Sequence, residues 1–168
     1  TCDLQHLKSF SEDMLAHGLV AQGRLLHQAL EDPSEHTAQR LNLEPGEKVV
    51  HIMRLRSYDD TPAALEESYL AASLCPGLEH EDVVGSSLYA LLEGRYNLAL
   101  DHTSQIMEVV GANAHEADLM GVPLQAPMSL VRGVTYLVDG RPIEYFKVVY
   151  RGDCFRFQLQ TVRLRKEG

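Results

Sequence analysis

The chain has 168 residues, 45% of them apolar and 23% charged, with a formal net charge of −9. That length and apolar content suit one domain with a single core and exclude a disordered chain. The acidic balance excludes a surface built to grip duplex DNA, which needs a positive footprint; the Lys/Arg-rich run Arg163-Leu164-Arg165-Lys166 reads as a solvated end.

Residues 1–8 read as a lead-in. "SFSEDMLAHG" (9–18) carries a capping box, Ser9 with Glu12 three residues on, and Gly18 to stop it, which predicts a short helix. "LVAQGRLLHQALED" (19–32) predicts a strand stopped by Pro33, and "SEHTAQRLNL" (34–43) a helix capped by Ser34 with Ala38, Leu41 and Leu43 inward. "EKVVHIMRLRSY" (47–58) is a strand by its β-branched content and alternation, and "DDTPAALEESYL" (59–70) a turn with a returning strand. "CPGL" (75–78) is a loop. "SSLYALLEG" (86–94) predicts a helix capped by Ser86 or Ser87 and closed by Gly94. "LALDHTSQIMEVV" (98–110) is a long strand, and "ANAHEADLMG" (112–121) a helix capped by Asn113 and closed by Gly121. "PMSLVRGVTYLV" and "PIEYFKVVYR" form a hairpin about Asp139-Gly140-Arg141-Pro142, and "CFRFQLQTVRL" (154–164) is a last strand. Strands outnumber helices, and helices fall between groups of hairpins. That order predicts an α+β fold, a mostly antiparallel sheet flanked by helices.

The longest apolar runs fall short of the ~18 residues of a membrane span, and residues 1–20 lack a cationic start followed by an apolar stretch. Cys2, Cys75 and Cys154 are odd in number and far apart, which argues against a disulfide framework or a structural zinc site. The eight histidines show no HExxH, and His102 and His115 are not at i, i+4, so neither a metal nor a cofactor is expected. A cytoplasmic protein with no membrane partner is the plain reading.

The informative residues are polar groups on strands meant for burial. Residues i and i+2 share a strand face, so Arg54 and Arg56 point the same way. They are either two surface arginines on an edge or a clamp for an anion, whose oxygens a guanidinium fork matches. Ser86, Ser87 and Tyr89 open a helix, where N–H groups favour phosphate but where serines also simply cap. Glu144, Phe146, Val148 and Tyr150 share one face; Tyr145, Lys147, Val149 and Arg151 share the other. A carboxylate on a buried face is costly unless hydrogen-bonded, so Glu144 needs either an internal arginine or a ligand's hydroxyl or ammonium group. The nucleophile elbow, the phosphate-binding loop and the dinucleotide fingerprint are all missing.

"SFSEDMLAHG", "LRSYDDTPAALEESYL", "GSSLYALLEG" and "DGRPIEYFKVVYRGDCFRF" together, in this order, resemble the UTRA domain, the effector-sensing C-terminal part of HutC-type regulators in the GntR superfamily of bacterial transcription factors. The resemblance covers about residues 9–160 and makes 1–168 one domain. It implies a chorismate-lyase-like fold, a ligand pocket and no enzymatic activity. It also implies that the family's winged helix-turn-helix lies outside this chain, that operator DNA is met only through it, and that the protein is a homodimer. Carried over residue by residue, it places Arg54, Arg56, Ser87, Tyr89 and Ser11 at the anion end of a small anionic metabolite, a sugar phosphate among the candidates. It places Glu66, Glu144 and Tyr150 at the polar end. An enzyme acting on a small anion and a ligand-free dimerisation module are the two other classes left open.

Overall fold

The computed structural model describes residues 2–3 and 22–158. The helix expected over 9–18, Ser11 within it, and the last strand beyond residue 158 lie outside the described residues. A two-residue strand, β1 (Cys2–Asp3), pairs in parallel with β8 (Phe157–Gln158). The body is one antiparallel sheet of β2 (Gln22–Glu31), β3 (Val49–Tyr58), β4 (Thr61–Ala71), β5 (Leu100–Gly111), β6 (Pro127–Leu137) and β7 (Pro142–Arg151), ordered β2-β3-β4-β7-β6-β5. Short helices α1 (Glu35–Arg40), α2 (Leu88–Gly94) and α3 (Ala114–Met120), with a 3-10 turn at Leu78–His80, fill the connections. This is the α+β, mostly antiparallel arrangement that the order of elements predicts.

Local chemistry explains the joints. Asp59 and Asp60 form a two-residue turn with φ of 43° and 60°, the backbone that matches strand twist and that aspartate tolerates. Asn113 and Glu116 complete a reciprocal capping box at α3, and Gly121 closes it with φ 63°. Two expectations shift. The helix over 34–43 is only Glu35–Arg40, because Asn42 turns left-handed at φ 52°. Gly94 is the last helical residue of α2, not its cap; Arg95 follows in right-handed geometry, and Ser87, accepting from the Ala90 N–H, caps the start.

Two of the four register shifts in the described sheet, both of them β-bulges, set the faces of the polar groups. Across β3 and β4 the register slips between Arg56 and Ser57, so Arg54 lies opposite Glu66 and Arg56 opposite Ala64. Across β2 and β3 it slips between Leu25 and His27. A one-residue slip moves every later side chain to the other face. The first face carries Ile52, Arg54, Arg56, Glu66, Ser68, Leu70, Thr135 and Glu144; the second carries His51, Leu55, Leu65, Glu67, Tyr69, Tyr145 and Val149.

Each face has its own core. On the first, Val50, Ile52, Leu70 and Leu137 pack with Leu78, Val83, Leu88 and Leu92 from the segment that crosses it. Leu92 of α2 is fully buried and Leu88 nearly so, which contributes roughly 1.5–3 kcal/mol each. On the second, Leu55, Leu65, Met128 and Val149 pack beneath α3, whose Met120 is buried. The outer strand β5 leaves Ile106 and Val109 exposed. It meets β6 so closely at Gly133 that a Cβ there would stand 2.3 Å from the Ser104 carbonyl oxygen. Among the described residues no helix is long and apolar enough to cross a membrane.

Candidate functional site

The first face brings two polar clusters together under the crossing segment. Arg54 and Arg56, neighbours on that face of β3, both turn inward and share Glu66 of β4. Glu66 Oε2 lies 3.0 Å from Arg54 Nη2 and 3.3 Å from Arg56 Nε. None of the three side chains is more than 8% exposed. Arg54 Nη1 donates to the Val83 carbonyl at 2.8 Å and Arg56 Nη1 to the Val84 carbonyl at 3.4 Å. Glu66 Oε2 accepts no well-aligned hydrogen bond, so charge holds the carboxylate between the arginines while the Val83 and Val84 carbonyls orient the guanidiniums. Burial, eased by the Glu66 charge but reinforced by Arg54, lowers the Arg56 pKa. Two guanidiniums that share one carboxylate are suited to a second anion.

The other cluster surrounds Glu144 of β7. Ser68 donates to its Oε1 at 2.7 Å; Thr135 and Tyr89 donate to Oε2 at 2.9 and 3.1 Å. Tyr89 reaches in from α2, so a helix is tied to the sheet through one carboxylate. Burial raises the Glu144 carboxyl above its ordinary 4.5, and the bonds from Ser68, Thr135 and Tyr89 with the Arg54 charge pull it part of the way back. Burial and the Glu144 charge push the Tyr89 hydroxyl well above its ordinary 10.0. A carboxylate ringed by hydroxyls can exchange those bonds for a ligand's hydroxyl or ammonium group.

The residues singled out by sequence are therefore grouped differently from expectation. Glu66 belongs with the guanidiniums, not with Glu144. Tyr150 stands six residues from Glu144 on β7, about 20 Å of strand, and packs edge-on against Phe155 and Phe157 with ring centroids 4.8 and 5.3 Å apart. Tyr89, expected at the anion end, bonds Glu144 instead. Ser87 caps α2 three residues beyond Val84. Ser68 and Thr135 were missed. Their signal was period two: Ser68 follows Glu66 at i+2, and Thr135 stands opposite Glu144 across the hairpin.

A cavity of about 460 Å³ opens beside α3 and the start of β6, lined by Val122, Pro123, Ala126 and Met128 with Arg151 and Asp153. None of the effector-site residues carried over from the resemblance lines it, and its arginine is already bound to its aspartate. Cys75 and Cys154 are free thiols, Cys75 buried and its pKa pushed up to about 12 by that burial.

Comparison with known proteins matches residues 16–156 to the UTRA domain model. The chain is 34% identical over 154 residues to the HTH-type transcriptional repressor NagR of Bacillus subtilis (strain 168), covering 92% of this chain and 63% of that protein. It is 26% identical over 161 residues to the mannosyl-D-glycerate transport/metabolism system repressor MngR of Escherichia coli (strain K12), covering 96% of this chain and 67% of that protein. The crystal structure of the effector domain of PhnF from Mycobacterium smegmatis superimposes with a TM-score of 0.85 at 29% identity, covering 92% of this chain and 95% of that one. The chain thus spans less than two thirds of the length of NagR. The chain belongs to the UTRA domain family, found in HutC-like GntR transcriptional regulators.

Proposed function

We propose that this domain senses a small anionic metabolite for a bacterial regulator, and that Arg54, Arg56, Glu66, Ser68, Tyr89, Thr135 and Glu144 form its binding site. The observation that carries this reading is the burial of two guanidiniums on one sheet face around a single shared carboxylate. Burying charge costs several kcal/mol per ion unless it is compensated, and an incoming phosphate or carboxylate completes the compensation with charge-assisted bonds of roughly 1.5–3 kcal/mol each. The Glu144 cluster then reads hydroxyl or amino groups at the other end. A sugar phosphate or sugar acid fits both ends, and the name of MngR, whose system handles a sugar linked to a carboxylic acid, supports that class. Ser87, at the start of α2, and Tyr150, in the cross-sheet row of Arg56, enter this proposal as flanking residues; Ser11, outside the described residues, enters it only through the resemblance. The reading is a binding domain and not an enzyme, since the relatives are named transcriptional regulators.

In this reading the full regulator is a cytoplasmic homodimer whose winged helix-turn-helix binds the operator. Occupancy is passed on because the groups that would hold the ligand also hold the crossing segment: the guanidiniums bond the carbonyls of Val83 and Val84, and Glu144 bonds Tyr89. A ligand that draws these side chains to itself shifts the segment's equilibrium, and a differential of about 1–3 kcal/mol suffices for regulation.

The test is a thermal-shift screen with sugar phosphates and sugar acids on the native chain and on Arg54→Ala. At a hundredfold excess over Kd, binding adds about 2.7 kcal/mol, so the native Tm rises by roughly 5–10 °C while the variant responds little. Equal stabilisation of both proteins by the same compound refutes the site.

A further inference from the structure

On the opposite face of the sheet, rings form a row across four strands and a helix: His27 (β2), His51 (β3), Tyr69 (β4), Tyr145 (β7) and His36 (α1), with successive centroids 4.7, 4.3, 6.2 and 5.3 Å apart. At the β2 end this row meets Glu31. His27 Nε2 lies 2.5 Å from Glu31 Oε1, and His51 Nδ1 lies 3.2 Å from Glu31 Oε2. The ligand atoms of His27, Glu31 and His51 all fall within 4.8 Å of one another. The bulge in β2 makes this possible, because it turns His27, Ala29 and Glu31 onto the face of His51, which stands opposite Ala29.

We propose that His27 Nε2, His51 Nδ1 and a Glu31 carboxylate oxygen form a site for one divalent transition metal ion, zinc above all, with its fourth position open to solvent. Two imidazoles and one carboxylate are a familiar zinc set, with metal–donor distances of about 2.0–2.2 Å in a tetrahedral arrangement. Donors at such distances stand about 3.3 Å apart, so binding requires the His27–Glu31 contact to open by less than about 1 Å and the widest pair, within 4.8 Å, to close by no more than about 1.5 Å. The surroundings also suit a metal. The other ring nitrogen of His51, Nε2, lies 3.0 Å from Glu67 Oε1, and Tyr69 donates to the same oxygen at 2.9 Å. A carboxylate on the far nitrogen fixes the tautomer that leaves Nδ1 free to bind, and it strengthens the imidazole as a donor. Tyr69 also stacks on the His51 ring, with planes 14° apart, and so holds its orientation. His27 and Glu31 are 40% and 36% exposed, which gives an ion a way in.

The test uses the metal-stripped chain. Zn(II) affinity is measured by competition with a chromophoric chelator, and Co(II) geometry by visible absorption. Expected are one equivalent per chain, a tetrahedral-type cobalt spectrum, and a loss of roughly tenfold or more in affinity for His27→Ala and for His51→Ala. Glu67→Gln, which leaves every ligand in place, weakens binding by about tenfold; His102→Ala, on a remote exposed histidine, changes nothing. Because His27 is 40% exposed on an outer strand, His27→Ala shifts the metal-free melting point only slightly, so its loss of binding reports a lost ligand. Absence of stoichiometric binding, or binding that survives His27→Ala unchanged, overturns the site. No outcome depends on the effector.

Discussion

Two arginine–carboxylate groups in this domain differ in a way that separates good geometry from importance. Arg151 and Asp153 form a two-pronged bridge near the surface, with Nε to Oδ1 at 3.0 Å and Nη2 to Oδ2 at 2.7 Å. Asp153 is 66% exposed, and an ion pair in water contributes below about 1 kcal/mol however well it is made. Arg54, Arg56 and Glu66 make a less regular group of two cations on one oxygen, sealed from water. There each missing partner is expensive, because the interior cannot screen what is left behind. The better-formed bridge is a local brace that also holds the Pro62 and Met120 carbonyls through Arg151. The less regular one is where a ligand has most to offer.

That contrast can be broken at three points. Glu66→Ala has the largest effect: it leaves two guanidiniums facing one another in the interior and costs about 3–5 kcal/mol, read as a lower urea midpoint. Added phosphate should restore part of the loss by standing in for the carboxylate. A loss below about 1 kcal/mol would mean that water reaches the arginines and that the group resembles the surface bridge after all.

Glu144→Gln comes next and has the opposite sign. The folded Glu144 carboxyl binds its proton more tightly than the unfolded one. Its contribution to stability is therefore fully present below the ordinary value of 4.5 and is lost as pH rises through the folded value. The glutamine variant avoids that loss, so above this window it should be more stable than the native chain by on the order of 1 kcal/mol. Melting curves across pH should converge in acid and diverge toward neutrality. Parallel curves at all pH values would show that the Glu144 carboxyl titrates alike in the folded and the unfolded chain, its burial fully offset by the three hydroxyls and the Arg54 charge.

Asp153→Asn is the smallest. The Arg151 guanidinium holds the Asp153 carboxyl down at about 2. Its contribution is present above the ordinary value of 3.8 and is lost as pH falls through the folded value. At neutral pH the substitution should cost less than about 1 kcal/mol, and less still in high salt. A salt-independent cost of several kcal/mol would erase the distinction between the two groups.

How much of this was legible from the chain follows from the same residues. Alternation gave the strands at 47–58 and 142–151, and Asn113 with Gly121 gave the ends of α3. Period two alone put Arg54 beside Arg56 and Glu144 on the face of Tyr150. The partner of the arginines was not legible. The turn at Asp59-Asp60 pairs Tyr58 with Thr61, and continued without a break that register sets Leu65 opposite Arg54 and turns Glu66 to the other face. The bulge at Arg56/Ser57 adds one residue and brings Glu66 round. The second bulge, at Leu25/His27, likewise delivers His27 to His51. A bulge is settled by packing across the sheet and leaves no mark in spacing, so both clusters that depend on one were invisible in a linear reading. Tyr150 shows a simpler limit: sharing a face with Glu144 says nothing about distance along it, and the register sets Tyr150 in the row of Ala64 and Arg56 instead.

Gly133 makes the outermost strand depend on a hydrogen atom. The Ser104 carbonyl occupies the volume that a methyl group would need, so β5 stays zipped to β6 only while that position has no side chain. One added carbon would pry the margin of the sheet open, uncover the backbone of β6, and set loose a ribbon that already shows Ile106 and Val109 to water.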